Sequence, residues 1–448
     1  MAAWLNVSRQ TDAVVVRNGT RLLSRACLRA QVVALVRQLD ARPEQRWALC
    51  FDDSGAFLVA LLATLHAGRT PVIPGNLQEA ALREQGAYFD AMLTDRPALQ
   101  RSLGGLDLTM LDAPMSATSA TQTDELPPLS PQASLELFTS GSTGAPRRVV
   151  KTVAAMDREA AWLAAQFGVQ LAGCTVVASV THQHLYGLTF RIFLPMALML
   201  RLHARQILYP EALGVLPCDQ PLAFISSPAF LKRLDVRLHA PDVQWLLSAG
   251  GVLAGGDARR AADWLGVVAH EIYGSTETGV LAWRQREPLD ARWQAFGAVQ
   301  FQALSDGWQV QSPLIDAPEG QVLEDQLEFD ADGRFRLLGR RDRIVKIEEK
   351  RVSLDEVEAR VRALEGVRDA VAVYLDRAGR QGLGVVLTLS APDGQACGES
   401  PGQQAAWRQQ LRRWLEPVAI PRYWRVVSSI PCNSMGKRVQ PQLLELFP

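Results

Sequence analysis

The chain lacks several features that would point to particular classes of protein. It has no net charge, because 47 lysine and arginine residues balance 47 aspartate and glutamate residues. Nothing in the composition therefore favours a nucleic acid or an anionic membrane as a partner. The longest apolar windows, Phe57–Ala67 and Phe190–Leu202, are short or interrupted by arginine, whereas a membrane span needs about 20 apolar residues. We expect no membrane span, and no signal peptide, because the sequence turns polar directly after Leu5.

The chain also lacks a cysteine framework. Its six cysteines are scattered and form no Cys-x-x-Cys pair, so we expect free, buried thiols in a reducing compartment and a cytoplasmic protein. His182 and His184 stand close together, but with no third ligand nearby in the sequence they do not indicate a zinc site.

The order of helix and strand signals predicts an α/β protein of more than one domain. A chain of 448 residues exceeds what one core usually organises. Helical spacing over Leu22–Leu39 and Ala56–His66 flanks a strand-like Arg46–Phe51, and such alternation favours α/β layers. The charged segment Gly339–Arg343 is suited to a linker. We therefore predict a large domain at 1–339 and a small α+β domain at 340–448.

The stretch Leu137–Val150 has a composition suited to holding phosphate. It contains Thr139-Ser140-Gly141-Ser142-Thr143-Gly144 and the basic Arg147-Arg148. Glycines let backbone N–H groups approach an anion, and hydroxyl and guanidinium groups add donors. The stretch does not match the G-x-x-x-x-G-K-[ST] loop, and the flanking Ala133–Phe138 and Arg147–Thr152 both resemble strands. The alternative is an ordinary hairpin turn.

Four further stretches carry chemistry. Tyr273–Gly279 combines an aromatic ring, hydroxyls and the carboxylate of Glu277, which can hold Mg²⁺. Asp325 with the later Arg340 can clamp ribose hydroxyls, and Gly436-Lys437 places a lysine in a loop near the C-terminus. His182–Leu188 follows a strand and offers a histidine to a ligand. Each stretch alone also has a purely structural interpretation as a turn, a solvated side chain or a satisfied polar group.

In order and spacing these stretches resemble the adenylate-forming superfamily, which includes acyl- and aryl-CoA synthetases, luciferases and peptide-synthetase adenylation domains. The resemblance covers essentially the whole chain. It implies a large N-terminal α/β domain and a small, mobile C-terminal α+β domain. It also implies activation of a carboxylic acid by ATP and Mg²⁺ to an acyl-adenylate, then transfer to CoA or to the phosphopantetheine of an acyl carrier protein.

The resemblance assigns roles to single residues. Lys437 is implied to bridge the reacting carboxylate and the α-phosphate, Thr276 to contact that phosphate and Glu277 to bind Mg²⁺. His184 matches the His-x-x-Gly of acyl and aryl ligases and is a further catalytic candidate. Residues implied to hold the phosphates, the adenine or the ribose are Thr139, Ser140, Gly141, Ser142, Thr143, Gly144, Arg147, Gly250, Gly251, Tyr273, Gly274, Ser275, Asp325 and Arg340.

Two departures from the family pattern bear on the prediction. Arg147 stands where relatives usually have lysine, which keeps the charge and widens the donor geometry. Glu349 stands where many relatives have glycine, so a side chain there is expected to hinder or re-route the thiol arm. Two alternatives to a complete acid–thiol ligase stay open: an enzyme that transfers only to a carrier protein, and a catalytically silent nucleotide-binding regulator. The resemblance disfavours an amino acid, because peptide-synthetase adenylation domains use an aspartate in the region of His184–Gly187. The apolar or aromatic Leu185, Tyr186 and Leu188 favour an aryl or fatty acid.

Overall fold

A computed structural model of the chain describes residues 13–104, 106–107, 125–140, 146–216, 219–251, 253, 255–287, 291–305, 307–340, 344–377, 380–389, 401–431 and 440–447. The chain divides into two compact units. The large unit comprises Met1–Gly75, Gly86–Phe138 and Arg148–Arg341, and the small unit comprises Asn76–Gln85, Thr139–Arg147 and Asp342–Pro448.

The large unit is built on two sheets that are mostly parallel. The first has nine strands, in the spatial order Gln294–Ala295, Gly279–Gln285, Ala269–Ser275, Val243–Ser248, Leu222–Ser226, Thr175–Ala178, Arg201–Gln206, Val14–Asn18 and Arg21–Ser24. The second has six, in the order Leu106–Asp107, Ala91–Thr94, Arg46–Cys50, Thr70–Ile73, Ser134–Ser140 and Pro146–Thr152. Parallel strands need crossover connections, and helices supply most of them here.

The α-helices of the large unit are Arg25–Asp40, Ser54–His66, Pro97–Leu103, Val153–Leu171, Leu185–Leu188, Leu194–Leu198, Pro210–Gly214, Pro228–Leu231 and Gly255–Leu265. The helix Ser54–His66 is buried on nearly every side, since it is almost wholly apolar. The helix Val153–Leu171 instead buries one stripe, which includes Met156, Ala160, Leu163 and Phe167. Two small antiparallel sheets complete this unit: Gln300–Leu304 with Gly307–Gln311 and Gln321–Leu323, and Asp325–Phe329 with Phe335–Arg340.

The small unit has its own apolar core. A sheet of Val367–Arg377, Arg380–Leu389 and Tyr423–Val426 packs its buried face against the helices Leu354–Arg362 and Pro401–Leu411. The hairpin Ile344–Ile347 and Lys350–Ser353 precedes them, and the helices Glu79–Glu84 and Gln440–Glu445 complete the unit. This arrangement is α+β.

Most segments predicted from periodicity are confirmed, with two corrections. The predicted helix Leu22–Leu39 begins at Arg25, because Arg21–Ser24 pairs antiparallel with Val14–Asn18 and the Ser24 hydroxyl accepts the Cys27 amide at 3.2 Å as a helix cap. The predicted linker at Gly339 is also wrong in part, since Gly339 and Arg340 end a strand. The expectation of buried thiols holds for Cys50 and Cys174 but not for the exposed Cys27.

Candidate active site

Four of the predicted site residues of the large unit follow, or lie near the ends of, parallel strands of the nine-stranded sheet. Thr175–Ala178, Leu222–Ser226, Val243–Ser248 and Ala269–Ser275 are neighbours and run parallel. Their carboxyl ends therefore meet at one edge, which is where open α/β sheets bind ligands. His184 follows the first of these strands, Gly250 and Gly251 follow the third, and Tyr273 lies near the end of the fourth.

The segment Tyr273–Gly279 forms a tight hairpin that presents Thr276 and Glu277 at its tip. Ser275 pairs with Gly279 across the turn, and Gly279 has a φ of +70°, which glycine adopts without strain. A Cβ atom on Gly274 would lie 2.2 Å from the carbonyl oxygen of Gly279, so the two strands meet only because glycine stands there. Thr278 stiffens the turn, since its hydroxyl accepts the Ser275 amide at 3.0 Å.

Two buried charged residues form hydrogen bonds to the backbone of this hairpin. The ammonium of Lys151 donates to the carbonyl oxygen of Glu277 at 2.8 Å and to that of Leu314 at 3.2 Å. The carboxylate of Glu159 accepts the amide of Val280 at 2.7 Å through one oxygen and the hydroxyl of Thr189 at 2.7 Å through the other. Burial lowers the pKa of Lys151 and raises the pKa of Glu159, because both would carry charge away from water.

The ring of Tyr273 is fixed by a second contact. Its hydroxyl donates to the carboxylate of Asp325 at 2.9 Å, and Trp293 and Phe335 border the ring with centroids 5.9 Å away. Asp325 lies directly opposite Arg340 in the antiparallel pair of Asp325–Phe329 and Phe335–Arg340. Asp325 is thus linked to Tyr273 by a side-chain hydrogen bond and to Arg340 by strand pairing, across 52 and 15 positions of the sequence.

The two neighbouring histidines have different environments. His182 is buried, with its Nδ1 3.0 Å from the Ser54 hydroxyl and its ring 4.3 Å from that of Phe57, and burial holds its pKa well below the usual value. It is therefore a neutral core residue. His184 is half-buried, and a Cβ atom added to Gly75 would lie 3.5 Å from its ring and 2.7 Å from the carbonyl oxygen of Phe138. His184 thus lies beside the backbone that leads into the phosphate-binding candidate Thr139–Gly144.

The short helix Leu185–Leu188 sets the position of Tyr186. A Cβ atom on Gly187 would lie 1.8 Å from the carbonyl oxygen of Thr181, so this turn of helix requires glycine. The half-buried Tyr186 donates its hydroxyl to the carbonyl oxygen of Ser226 at 2.9 Å, which ties it to the end of the next strand. Leu188 is fully buried in the core. Leu185 is also buried, so Tyr186 is the one of these three residues that keeps part of its surface exposed.

The remaining predicted residues are described only in part. Thr139 and Ser140 end the strand Ser134–Ser140, and Arg147 is exposed in the strand Pro146–Thr152. Gly141, Ser142, Thr143, Gly144 and Lys437 lie outside the described residues. Glu349 is half-buried in the turn before Lys350–Ser353, but the positive φ of that turn, +58°, belongs to Glu348.

A family model described as AMP-binding enzyme matches residues 4–326. The chain belongs to this family. Phosphinothricin tripeptide synthetase PhsC of Streptomyces viridochromogenes is 27% identical over 460 residues, covering 89% of this enzyme and 40% of PhsC. A 4-coumarate–CoA ligase of Cereibacter sphaeroides is 29% identical over 315 residues, covering 69% of this enzyme and 71% of the ligase. The enzyme thus spans less than half the length of PhsC.

Solved structures share the fold at low sequence identity. The o-succinylbenzoate CoA synthetase MenE of Bacillus subtilis aligns with a TM-score of 0.82 and 17% identity over 99% of this enzyme and 98% of that chain. The amide bond synthetase McbA of Marinactinospora thermotolerans aligns with a TM-score of 0.78 and 18% identity over the whole of both chains. The predicted α/β class is confirmed.

The residues at the hairpin fit Mg²⁺ as a cofactor held jointly with a nucleotide. Among the described residues no group of three histidine, cysteine, aspartate or glutamate side chains could form a self-contained metal centre. Glu277 offers one carboxylate at the hairpin tip, on a backbone held by Lys151. Mg²⁺ commonly takes one or two protein carboxylates and completes its shell with water and substrate phosphate oxygens.

In the described part of the chain, no helix is both long and apolar enough to span a membrane.

Sequence reasoning missed Lys151 and Glu159. A weak signal exists for Glu159, which interrupts the apolar stripe of the helix Val153–Leu171 at a position that is 2% exposed. A carboxylate on such a stripe requires a buried partner, because an unpaired buried charge is costly. Nothing in the sequence around Lys151 distinguishes it from an ordinary strand residue.

Proposed function

We propose that the enzyme activates a carboxylic acid with ATP to an acyl-adenylate and then transfers the acyl group to a thiol of CoA or of an acyl carrier protein. The observation that carries this proposal is the hairpin Tyr273–Gly279. The hydroxyl of Tyr273 donates a hydrogen bond to Asp325, and the tip of the hairpin bears Thr276 and Glu277 at the ligand-binding edge of the sheet. These residues offer a ring for a base, a carboxylate for ribose hydroxyls and a carboxylate for a metal.

The chain's own residues divide the work of the first step. Tyr273 stacks on adenine, with Gly250 and Gly251 forming the wall beside it, and Asp325 and Arg340 hold the ribose. Thr139 to Gly144, with Arg147, grip the β- and γ-phosphates, Thr276 contacts the α-phosphate and Glu277 binds the metal. Mg²⁺, when bound, neutralises charge on the phosphates so that a second anion can approach. We further propose that 1–339 forms the ATP- and acid-binding domain.

The lysine of the small domain completes the chemistry. A carboxylate oxygen attacks the α-phosphorus, a P–O bond forms, and the bond to the departing pyrophosphate breaks. Lys437 supplies positive charge where the two anions meet. In the second step a thiolate attacks the carbonyl carbon and AMP leaves, while the thiol proton passes to solvent. We propose that 340–448 rotates between these steps, so that Lys437 acts in the first step only.

The acid is proposed to be aryl or fatty acyl. Tyr186 provides an aromatic surface beside His184, and the relative 4-coumarate–CoA ligase carries the name of an aryl acid and of CoA. PhsC, by contrast, is named as a tripeptide synthetase. No aspartate that could hold an amino group stands at His184–Gly187, so an amino acid substrate is disfavoured.

The cytoplasmic location stays a prediction from the cysteine pattern.

Mass spectrometry of products tests the proposal. The enzyme is incubated with ATP, Mg²⁺ and a mixed pool of amino, fatty and aryl acids, with either CoA or a holo carrier protein. A new acyl thioester together with AMP supports the proposal and identifies the acceptor. Formation of an acyl-adenylate without a thioester of either CoA or the carrier protein would restrict the enzyme to the first step. Nucleotide binding without any product would favour a catalytically silent regulator.

Lys437→Ala tests the catalytic assignment. Adenylation is expected to fall by orders of magnitude while ATP binding, measured by calorimetry, is retained, because the lysine acts on the transition state. Lys232→Ala serves as the control, because it removes an exposed lysine that has no proposed role in the reaction. Unchanged adenylation in Lys437→Ala would remove this residue from the mechanism.

A further inference from the structure

Lys151 is a buried charge that the reaction as described does not use. Only 4% of the residue is exposed, and it lies near the end of the strand Pro146–Thr152, which begins directly after the phosphate-binding candidate. Instead of pointing to water, its ammonium donates to the carbonyl oxygens of Glu277 and Leu314. Glu159, Asp316 and Glu277 are the carboxylates close enough to act on its charge.

Glu159 supports the same hairpin from its other strand. It is 2% exposed and accepts the backbone amide of Val280, three residues beyond Glu277. A Cβ atom on Gly279 would lie 2.7 Å from the same carboxylate oxygen, so the glycine allows the carboxylate to reach the backbone. The hydroxyl of Thr189 occupies the second oxygen at 2.7 Å.

The two anchors leave the tip of the hairpin little freedom. Lys151 fixes the carbonyl of Glu277, Glu159 fixes the amide of Val280, and between them lie only the buried Thr278 and Gly279. The orientation of a side chain follows from its backbone, so the direction of the Glu277 carboxylate depends on the bond from Lys151. The two anchors also compensate each other, since a buried cation and a buried anion cost less together than either would alone.

We propose that Lys151, supported by Glu159, is a positioning residue that holds the Glu277 backbone so that its carboxylate faces the metal. This inference rests on the proposed function, because it assumes that Glu277 binds the Mg²⁺ of Mg-ATP. Lys151 touches neither substrate nor metal in this role. Its contribution is to keep the metal ligand in place before the nucleotide arrives.

Lys151→Met tests the proposal, because methionine nearly preserves the shape of lysine and removes its charge and donors. The Mg²⁺ concentration that gives half-maximal ATP–pyrophosphate exchange is expected to rise about tenfold, the effect of losing one charge-assisted hydrogen bond. At saturating Mg²⁺ the rate should be affected less, since the defect is in metal binding. Lys151→Arg should restore part of the affinity, and the exposed Lys232→Met should change nothing.

Two readouts do not depend on turnover. Calorimetry with Mn²⁺ and a non-hydrolysable ATP analogue should show the same loss of metal affinity in Lys151→Met. Hydrogen exchange should accelerate at the amides of Ser275 to Val280, while the core strand Val243–Ser248 keeps its protection. If Lys151→Met does not fold, Glu159→Gln carries the test, with a shift in metal affinity in the same direction.

The outcomes separate this inference from the proposed function. A wild-type enzyme that shows no exchange with any acid refutes the proposed function, whereas Mn²⁺ binding and hydrogen exchange still decide the role of Lys151. A folded Lys151→Met or Glu159→Gln with unchanged metal affinity and unchanged exchange at the hairpin overturns the inference and leaves the proposed function intact.

Discussion

The bond between Tyr273 and Asp325 leads to a prediction about nucleotide affinity. The phenol is 6% exposed and donates to the carboxylate at 2.9 Å. Tyr273→Phe keeps the ring and its neighbours Trp293 and Phe335 but removes this donor. A hydrogen bond to a charged group contributes about 1.5–3 kcal/mol. Because Asp325 is only half-buried, we take the lower end, about 1.5 kcal/mol, which corresponds to about a tenfold change in affinity.

The expected result is a KM for ATP raised about tenfold with little change in kcat, because the bond orients Asp325 equally in the ground state and the transition state. The assay is acid-dependent ATP–pyrophosphate exchange, with ATP affinity measured separately by calorimetry. A comparison of ATP with 2′-deoxy-ATP makes the assay specific for the contact to the ribose hydroxyl. If Asp325 holds a ribose hydroxyl, wild type should discriminate between the two nucleotides more strongly than Tyr273→Phe does.

Tyr186→Phe is the matched control. It also removes a phenol hydroxyl, but its acceptor is the carbonyl oxygen of Ser226. We expect this variant to change the KM for the acid and to leave the KM for ATP unaltered. A normally folded Tyr273→Phe with an unchanged KM for ATP and unchanged discrimination against 2′-deoxy-ATP would refute a role of this hydrogen bond in nucleotide binding.

Two further predictions concern the small unit. Glu348 adopts a φ of +58°, which is unfavourable for a residue with a Cβ atom, whereas Glu349 does not have a positive φ. Glu348→Gly should therefore be more stable than Glu349→Gly by about 1 kcal/mol, as measured by urea unfolding. Equal stabilities of the two variants would contradict this prediction. Burial, opposed by Arg360 and aided by Glu84, raises the pKa of Glu356 to about 7. Its contribution to stability is thus full below the unfolded value near 4.5 and is lost as pH rises through about 7. Glu356→Gln should flatten the pH dependence of unfolding over this window, and an unchanged profile would count against the assignment.

Short-range patterns predicted the parts of the fold that depend on local sequence. A short apolar run predicted the buried strand Arg46–Cys50, and helical spacing predicted the helix Ser54–His66 to within two residues. The start of the helix at Arg25 was not predictable from spacing, because the pairing of Arg21–Ser24 with Val14–Asn18 overrides the helical pattern of the leucines.

Motifs predicted the site residues but not the contacts that hold them. Tyr273 and Asp325 were predicted as separate nucleotide contacts, and the bond between them spans 52 positions. The bond from Lys151 to Glu277 spans 126 positions. Contacts of this kind depend on how strands are ordered in the sheet, and a single sequence carries no local pattern for them. The exclusion of His182 from the site likewise follows from its burial against Ser54 and Phe57.

Isotope exchange between pyrophosphate and ATP tests most directly whether the enzyme transfers AMP to a carboxylic acid. We predict exchange that requires both Mg²⁺ and an aryl or fatty acid and that is lost in Glu277→Ala and Lys437→Ala. Addition of a thiol acceptor should then release AMP. Exchange with no member of an amino, aryl and fatty acid panel, by an enzyme that still binds ATP, would contradict it.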